Sequence, residues 1–410
     1  MKYDFTTRLN RTGTGSAKWG DMYRKAPGLG HGIVPLSVAD MEFKNPPQIK
    51  QAISDWLEDA VLGYTDPTDE FLDACVSWQR RRHGWQAERH WIVPTAGVVP
   101  ALFNAVRSLT KPGDGVIVQP PVYYPFFKSI TEQGRTIVRN PLIRTTLDDG
   151  TPYYRMDFED LEAKAKDPAN TMLILCSPHN PVGRVWSPAE LRQLLDICVR
   201  NDVIVVADEI HDDLIMPGHE HTAFMSVADV GEYDHVLVAT APSKTFNIAG
   251  CQVSAIFIPN DDVRDRFRKG LDLVPASELN CFAYPATVAA YTKCDDWLEE
   301  LIQVVSANFD FLRGFMGTYL PELVVYPMEG TYLAWVDFNA WVLSTEELQS
   351  FMEKDALLFL DEGYVFGEEG AGFERFNLAC PRDVLEESLE RLVHAAKERR
   401  LGSFAKGGQA

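Results

Sequence analysis

Strand–helix–strand alternation between residues 91 and 258 predicts an α/β protein whose large domain is a mostly parallel sheet covered by helices on both faces. Three observations carry this prediction. Short apolar runs of strand length stand at 91–93, 115–119, 135–139, 171–176, 203–207, 235–239 and 252–258, with helical spacing between many of them. Past about residue 290 the order changes to a long helical stretch followed by mixed strands and helices, which predicts a second, smaller α+β domain. The chain has 410 residues, too many for one ordinary core.

Taken in order, residues 1–35 read as irregular, rich in Gly, Thr and Pro with weak apolar periodicity. Pro46-Pro47 opens a helix near Ile49 to Leu62, Gly63 to Pro67 is a turn, and helical spacing resumes from Glu70 to about Arg82. The best-marked helix follows Ser187. This serine is an N-cap, Pro188 suits the first helical position, and Glu190 completes a capping box. Leu191, Leu194, Leu195 and Val199 then form one apolar stripe. Beyond 290 we expect a helix over 295–317, strands at 323–326 and 331–337, and a helix near 345–354. Strands at 357–360 and 374–379 and a last helix after Pro381 complete the pattern; its apolar face is Leu385, Leu389, Leu392 and Ala396. The tail from Gly402 to Ala410 is expected to be disordered. The predicted division is an N-terminal segment (1–48) joining the small domain, a large domain (49–290), a small domain (291–398) and a tail (399–410). No internal repeat is visible.

Composition removes several classes of function. Hydrophobic residues make up 46%, enough for a sizeable core. The 39 basic and 59 acidic residues leave a net charge of −20, which argues against a nucleic-acid partner, because phosphate backbones need a basic face. Residues 1–20 lack the apolar stretch of a signal peptide, and no apolar run reaches the length of a membrane span, so no membrane role is expected. The seven cysteines are scattered without CxxC spacing and read as small buried hydrophobes in a reducing cytoplasm. The nine histidines show no HExxH or similar pairing, so no metal site is expected.

The residues that can carry chemistry follow the predicted strands. Lys244 comes just after the strand 235–239, past Pro242 and Ser243. Partial burial there disfavours its charged form, and a neutral amine can attack an aldehyde to form a Schiff base. An ordinary loop lysine is the alternative. Asp208, in Ala207-Asp208-Glu209-Ile210-His211, ends an apolar run and needs a partner for its charge; a protonated ring nitrogen is one, and a helix N-cap role is the other reading. Asn180, in Ser177-Pro178-His179-Asn180-Pro181-Val182-Gly183, can offer its amide from a rigid turn, or only start that turn. Gly97 and Val98 stand at a strand–helix junction that can hold a phosphate, although such junctions are common. Tyr123 can stack on a flat ring or merely pack at a helix start. Arg375 can pair bidentately with a carboxylate, or with one of the many acidic side chains.

Together these motifs, in this order, resemble the fold-type I pyridoxal-phosphate (PLP) enzymes, the aspartate aminotransferase superfamily, over about residues 35–395. Within it they are similar to the MalY/PatB group of C–S lyases. The marks are Ala39-Asp40-Met41-Glu42-Phe43, Asn180-Pro181-Val182-Gly183, Asp208-Glu209-Ile210-His211, Ser243-Lys244-Thr245-Phe246-Asn247 and Glu329-Gly330-Thr331-Tyr332. The resemblance implies that Lys244 carries PLP, Asp208 pairs with its ring nitrogen and Asn180 bonds the ring's O3′. Tyr123 would stack on the ring, with His211 near it at a position where many relatives have tyrosine. Gly97, Val98 and Ser243 would hold the phosphate. Tyr64 would reach the phosphate of a neighbouring subunit, which implies a homodimer with shared active sites. Arg375, with Asp40 nearby, would bind the substrate. Two positions depart from the superfamily pattern: Ala241 replaces a Ser or Thr, and Gln252 replaces an arginine, so a less cationic phosphate cup is expected. The implied activity is β-elimination from cystathionine or another cysteine S-conjugate, giving a thiol, pyruvate and ammonia. An aminotransferase of an amino acid and a PLP-bound regulatory protein are the alternatives.

Overall fold

The computed structural model describes residues 1–30, 32–274 and 278–406. Its strands, in chain order, are β1 (Ile92–Thr95), β2 (Gly115–Val118), β3 (Thr136–Arg139), β4 (Ile143–Thr146), β5 (Pro152–Arg155), β6 (Asn170–Cys176) and β7 (Ile204–Asp208). They continue as β8 (Val236–Thr240), β9 (Ser254–Phe257), β10 (Val324–Val325), β11 (Leu333–Asp337), β12 (Asp361–Glu362) and β13 (Phe373–Asn377). Seven of them form one sheet in the order β1-β9-β8-β7-β6-β2-β3. The five strands from β8 to β3 are mutually parallel, while β9 runs antiparallel to both β8 and β1. The expected mostly parallel sheet is therefore present, with one reversed strand near an edge.

The side chains explain why this sheet is covered on both faces. Along β6, Leu173 and Leu175 join one apolar cluster while Met172, Ile174 and Cys176 join another. Val205 and Ala207 of β7 likewise oppose Val206. Successive side chains point to opposite faces, so an almost uninterrupted apolar strand must be buried on both. The helix Val98–Leu109 covers one face together with Asp261–Asp272. The helix Pro188–Arg200 covers the other and has the full capping box, Ser187 accepting from Glu190 N and the Glu190 carboxylate accepting from Ser187 N.

A second sheet, in the order β10-β11-β13-β12, is antiparallel throughout. The N-terminal segment docks on it through backbone bonds: Leu36 N donates to Phe359 O, Asn377 N to Leu36 O and Glu42 N to Ala379 O. The helices Asp295–Tyr319 and Arg382–Arg399 pack against each other beside this sheet.

Several expectations need correction. The segment 1–35 is not wholly irregular: Ala17–Lys25 is a helix whose cap, Ser16, accepts from Trp19 N, and it buries Trp19 and Met22. Nine residues make only about two and a half turns, too short for a helical period to stand out beside the Gly- and Thr-rich flanks. The hairpin β4–β5 escaped notice because its side chains are mostly exposed or half-buried. The run 357–360 is buried but is not a strand; its Phe359 carbonyl is taken by Leu36, and the pairing strand is β12. The helix near 345–354 is an α-helix only over Thr345–Ser350 and then widens into a π turn. The segment 252–258 shortens to β9 because Gln252 takes a left-handed φ of 49°. Of the tail expected to be disordered, Gly402–Lys406 forms a 3-10 turn, Ser403 N donating to Glu322 Oε1 at 3.1 Å. Residues 407–410 lie outside the described residues.

Candidate active site

The C-terminal ends of β1, β2, β6, β7 and β8 all reach the same edge of the large sheet, and a cavity of ≈ 350 Å³ lies there. It is lined by Gly97 and Val98 after β1, Tyr123 after β2, Asn180 after β6, Asp208 and His211 after β7, and Ser243 and Lys244 after β8. Arg375 reaches it from β13 of the second sheet. These residues are scattered over almost 280 positions in the chain. Parallel strands bring them together because each crossover returns the chain in the same direction.

Lys244 sits in a single helical turn, Pro242–Thr245, opened by the proline. Its Nζ donates to Ala39 O at 2.7 Å. Burial lowers its pKa to about 8, against the opposing pull of Asp40. Asp208, the last residue of β7, is buried and has no ion-pair partner among the described residues. Its Oδ1 accepts from Ile210 N at 3.1 Å, and burial raises its pKa to about 7. A carboxylate desolvated to this degree calls for a cationic or proton-bearing partner.

Asn180 and Arg375 orient each other. Arg375 Nη1 donates to Asn180 Oδ1 at 2.8 Å, which leaves the Asn180 Nδ2 as a donor with no acceptor among the described residues. The guanidinium is 2% exposed, pairs through Nη2 with Asp361, and lies 4.7 Å from the centroid of the Phe366 ring. Its Nε has no partner. His211 is buried edge-on to Tyr332, with centroids 5.9 Å apart. Burial, with Lys244 and Arg375 nearby, keeps the His211 imidazole neutral. The Tyr123 phenol is pushed well above its ordinary pKa by burial.

Gly97 caps the Val98–Leu109 helix with φ of 114°, a conformation that favours glycine, and no side chain caps that end. The first amides of the helix are thus available to an anion, with the Ser243 hydroxyl close by in the same cavity. Ala241 contributes no hydroxyl, and the uncharged Gln252 lines the wall, in keeping with the less cationic cup expected.

Two of the expected residues do not line the cavity. Asp40 stands beside Ala39 and pairs with Arg11 at 2.8 Å. Tyr64 is 99% exposed and is not among the residues lining this cavity. Sequence reasoning missed Asp361, which orients Arg375, and the Ala39 carbonyl that holds Lys244. Neither has a local signal, since one is a long-range ion pair and the other a backbone atom. It noted Glu329 only as part of a motif. The Glu329 carboxylate accepts from Arg184 Nε at 2.9 Å, Val185 N at 2.8 Å and Tyr153 Oη at 2.9 Å, and so braces the loop bearing Asn180.

Known proteins are similar to this chain in sequence and fold. The profile of the family "Aminotransferase class I and II" matches residues 31–392. The cystathionine beta-lyase PatB of Bacillus subtilis is 42% identical over 395 residues, covering 96% of this chain and 99% of that protein. Protein MalY of Escherichia coli is 31% identical over 402 residues, again covering 96% and 99%. The crystal structure of cystalysin from Treponema denticola, which contains a pyridoxal 5′-phosphate cofactor, superposes with a TM-score of 0.94 at 48% identity, covering 97% of this chain and 100% of that one. With a family profile over most of its length and such relatives matched nearly whole, this chain belongs to the aminotransferase class I and II family.

Proposed function

We propose that this protein is a PLP-dependent carbon–sulfur β-lyase acting on L-cystathionine or a related cysteine S-conjugate. The observation that carries the reading is the buried Asp208 carboxylate, without a cation of its own, in one cavity with Lys244 and the glycine-capped helix end. A protonated pyridine nitrogen satisfies the first, an aldehyde the second and a phosphate the third, so these residues fit PLP. The names of PatB and cystalysin's bound cofactor support the same reading.

Bound there, PLP supplies an electron sink for the pair released at the substrate's α-carbon. Asp208 would hold the proton on the ring nitrogen by its charge. Asn180 Nδ2, oriented by Arg375, would donate to the ring oxygen. Gly97, Val98 and Ser243 would hold the phosphate with amides and a hydroxyl rather than an arginine. Tyr123 and the neutral His211 would contact the ring. Arg375 would fix the substrate carboxylate, while Asp40, outside the cavity lining and paired with Arg11, would act only through its charge on Lys244. Lys244 Nζ, whose pKa burial lowers to about 8 so that it gives up its proton more readily than a surface lysine, would take the α-proton once neutral. A thiolate then leaves the β-carbon, and hydrolysis yields pyruvate and ammonia.

Supplying L-cystathionine with no keto acid tests this against the aminotransferase reading. A lyase releases thiol, pyruvate and ammonia over many turnovers. A transferase stops after about one turnover per site until a keto acid is added, and that result would replace the lyase assignment.

We infer further that the working unit is a cytoplasmic homodimer in which Tyr64 completes the partner's phosphate site. Val61, Leu62 and Tyr64 are 87%, 68% and 99% exposed in one chain, an apolar stretch suited to an interface. The seven free cysteines suit a reducing compartment. Sedimentation of a monomer at assay concentration would overturn the dimer.

A further inference from the structure

We propose that His83, Asp212 and Asp213, with His221 beside them, bind one divalent cation of the zinc class, at a site separate from the cavity of Lys244. His83 ends the helix Asp69–His83, and the two aspartates follow β7 after the turn bearing His211. One ligand atom from each of these three residues lies within 4.8 Å of the other two. His83 Nε2 is 3.3 Å from Asp212 Oδ2 and 2.9 Å from Asp213 Oδ1. The three side chains are 4%, 2% and 1% exposed.

Unpartnered buried polar atoms in and beside the cluster point to a ligand. Asp212 Oδ2 is buried and makes no hydrogen bond, although it faces the His83 ring. His221, with its side chain 3% exposed, has no partner on either ring nitrogen. Its ring centroid lies 5.5 Å from that of His83, and its Nε2 lies 3.5 Å from Glu209 Oε1. Glu209 Oε2 is also unpartnered. Three carboxylates and two imidazoles thus share one buried volume, and no lysine or arginine pairs with these carboxylates among the described residues. One proton on His83 offsets a single negative charge. A divalent cation offsets two and engages the unpartnered Asp212 oxygen directly.

The donor set selects the ion. Imidazole nitrogen mixed with carboxylate oxygen suits Zn²⁺ and its neighbours, whereas Ca²⁺ and Mg²⁺ take oxygen shells. Asp213 is already oriented, accepting at Oδ1 from Trp78 Nε1 at 3.0 Å and at Oδ2 from Thr245 Oγ1 at 2.8 Å, as outer contacts orient a metal ligand. An open cavity of ≈ 610 Å³, lined by His83, Asp212, Asp213 and His221, gives an ion a route in and room for a water ligand. Because Thr245 directly follows Lys244, the ion would also brace the turn that carries the lysine.

The test uses holoenzyme stripped with EDTA and titrated with ZnCl₂ by calorimetry, with bound zinc counted by mass spectrometry. The expected result is one zinc per chain, bound at least about a hundredfold more weakly by His83→Gln and Asp212→Asn, with PLP content unchanged. Asp212→Asn removes no hydrogen bond made by Oδ2 and keeps the shape; should either variant fail to fold, His221→Gln replaces it. A second readout is the wild-type melting temperature, which zinc should raise. Equal zinc binding in wild type and variants, or no zinc-dependent rise in melting temperature, would overturn the site and leave His83 as a protonated bridge between two aspartates.

Discussion

Replacing Arg375 by lysine keeps the positive charge and removes the planar fork. An arginine carries five N–H donors, and Arg375 uses one on Asn180 and one on Asp361. Three remain for a substrate carboxylate, among them the unpartnered Nε, enough for a bidentate pair. A lysine offers three donors on one atom. If two still hold Asn180 and Asp361, only one is left for the substrate. The variant therefore loses one charge-assisted hydrogen bond, worth roughly 1.5–3 kcal/mol. That corresponds to a fall in kcat/KM of about tenfold to a hundredfold. The assay is the initial rate of thiol release from L-cystathionine, repeated with a substrate whose α-carboxylate is a methyl ester. The ester cannot form the bidentate pair, so its smaller rate should change little between the two enzymes. A variant within about twofold of wild type on the free acid, or one losing the same factor on both substrates, would refute the carboxylate role.

Four further outcomes are expected. Lys244→Ala should abolish the borohydride-reducible adduct of PLP, and mass spectrometry locating that adduct on another lysine would contradict the assignment. Asp208→Ala should keep its fold by circular dichroism but lose roughly 3–4 kcal/mol of transition-state stabilisation, about a hundred- to thousandfold in turnover. In cofactor-free protein, the rate of forming the reducible linkage should rise about tenfold per pH unit and level off above about 8, because only the neutral amine attacks; a continued rise toward the range of an ordinary lysine would disprove the burial effect. Glu329→Ala leaves Arg184 with Glu190 as its remaining carboxylate partner and removes the acceptor of Val185 N, and should lower unfolding stability by roughly 1–3 kcal/mol, read as a shifted urea midpoint.

The strands of the large sheet and the long helices were legible because their signals are local. A buried parallel strand needs an unbroken apolar run, and the Pro188–Arg200 helix carries its cap, its proline and its stripe within a few residues. The candidate cofactor residues were legible for a related reason: each follows a strand, where α/β sheets present ligands. The N-terminal helix was not, because its nine residues are too few for a period to stand out, nor was the β4–β5 hairpin, which buries few side chains on either face.

By itself, then, the sequence determined the alternation of elements, the residues at the strand ends and their resemblance to a PLP-dependent family. Tertiary structure alone decided which partner each of those residues meets. Lys244 is held by a carbonyl some two hundred positions earlier, and Arg375 is shared between Asn180 and Asp361. The cluster of His83, Asp212, Asp213 and His221 shows the same limit. No metal-binding spacing exists along the chain, because the ligands are assembled by a helix end and a post-strand loop that meet only after the core has formed. Spacing reports neighbours along a helix or turn, whereas ion pairs and ligand sets depend on distances that only packing sets.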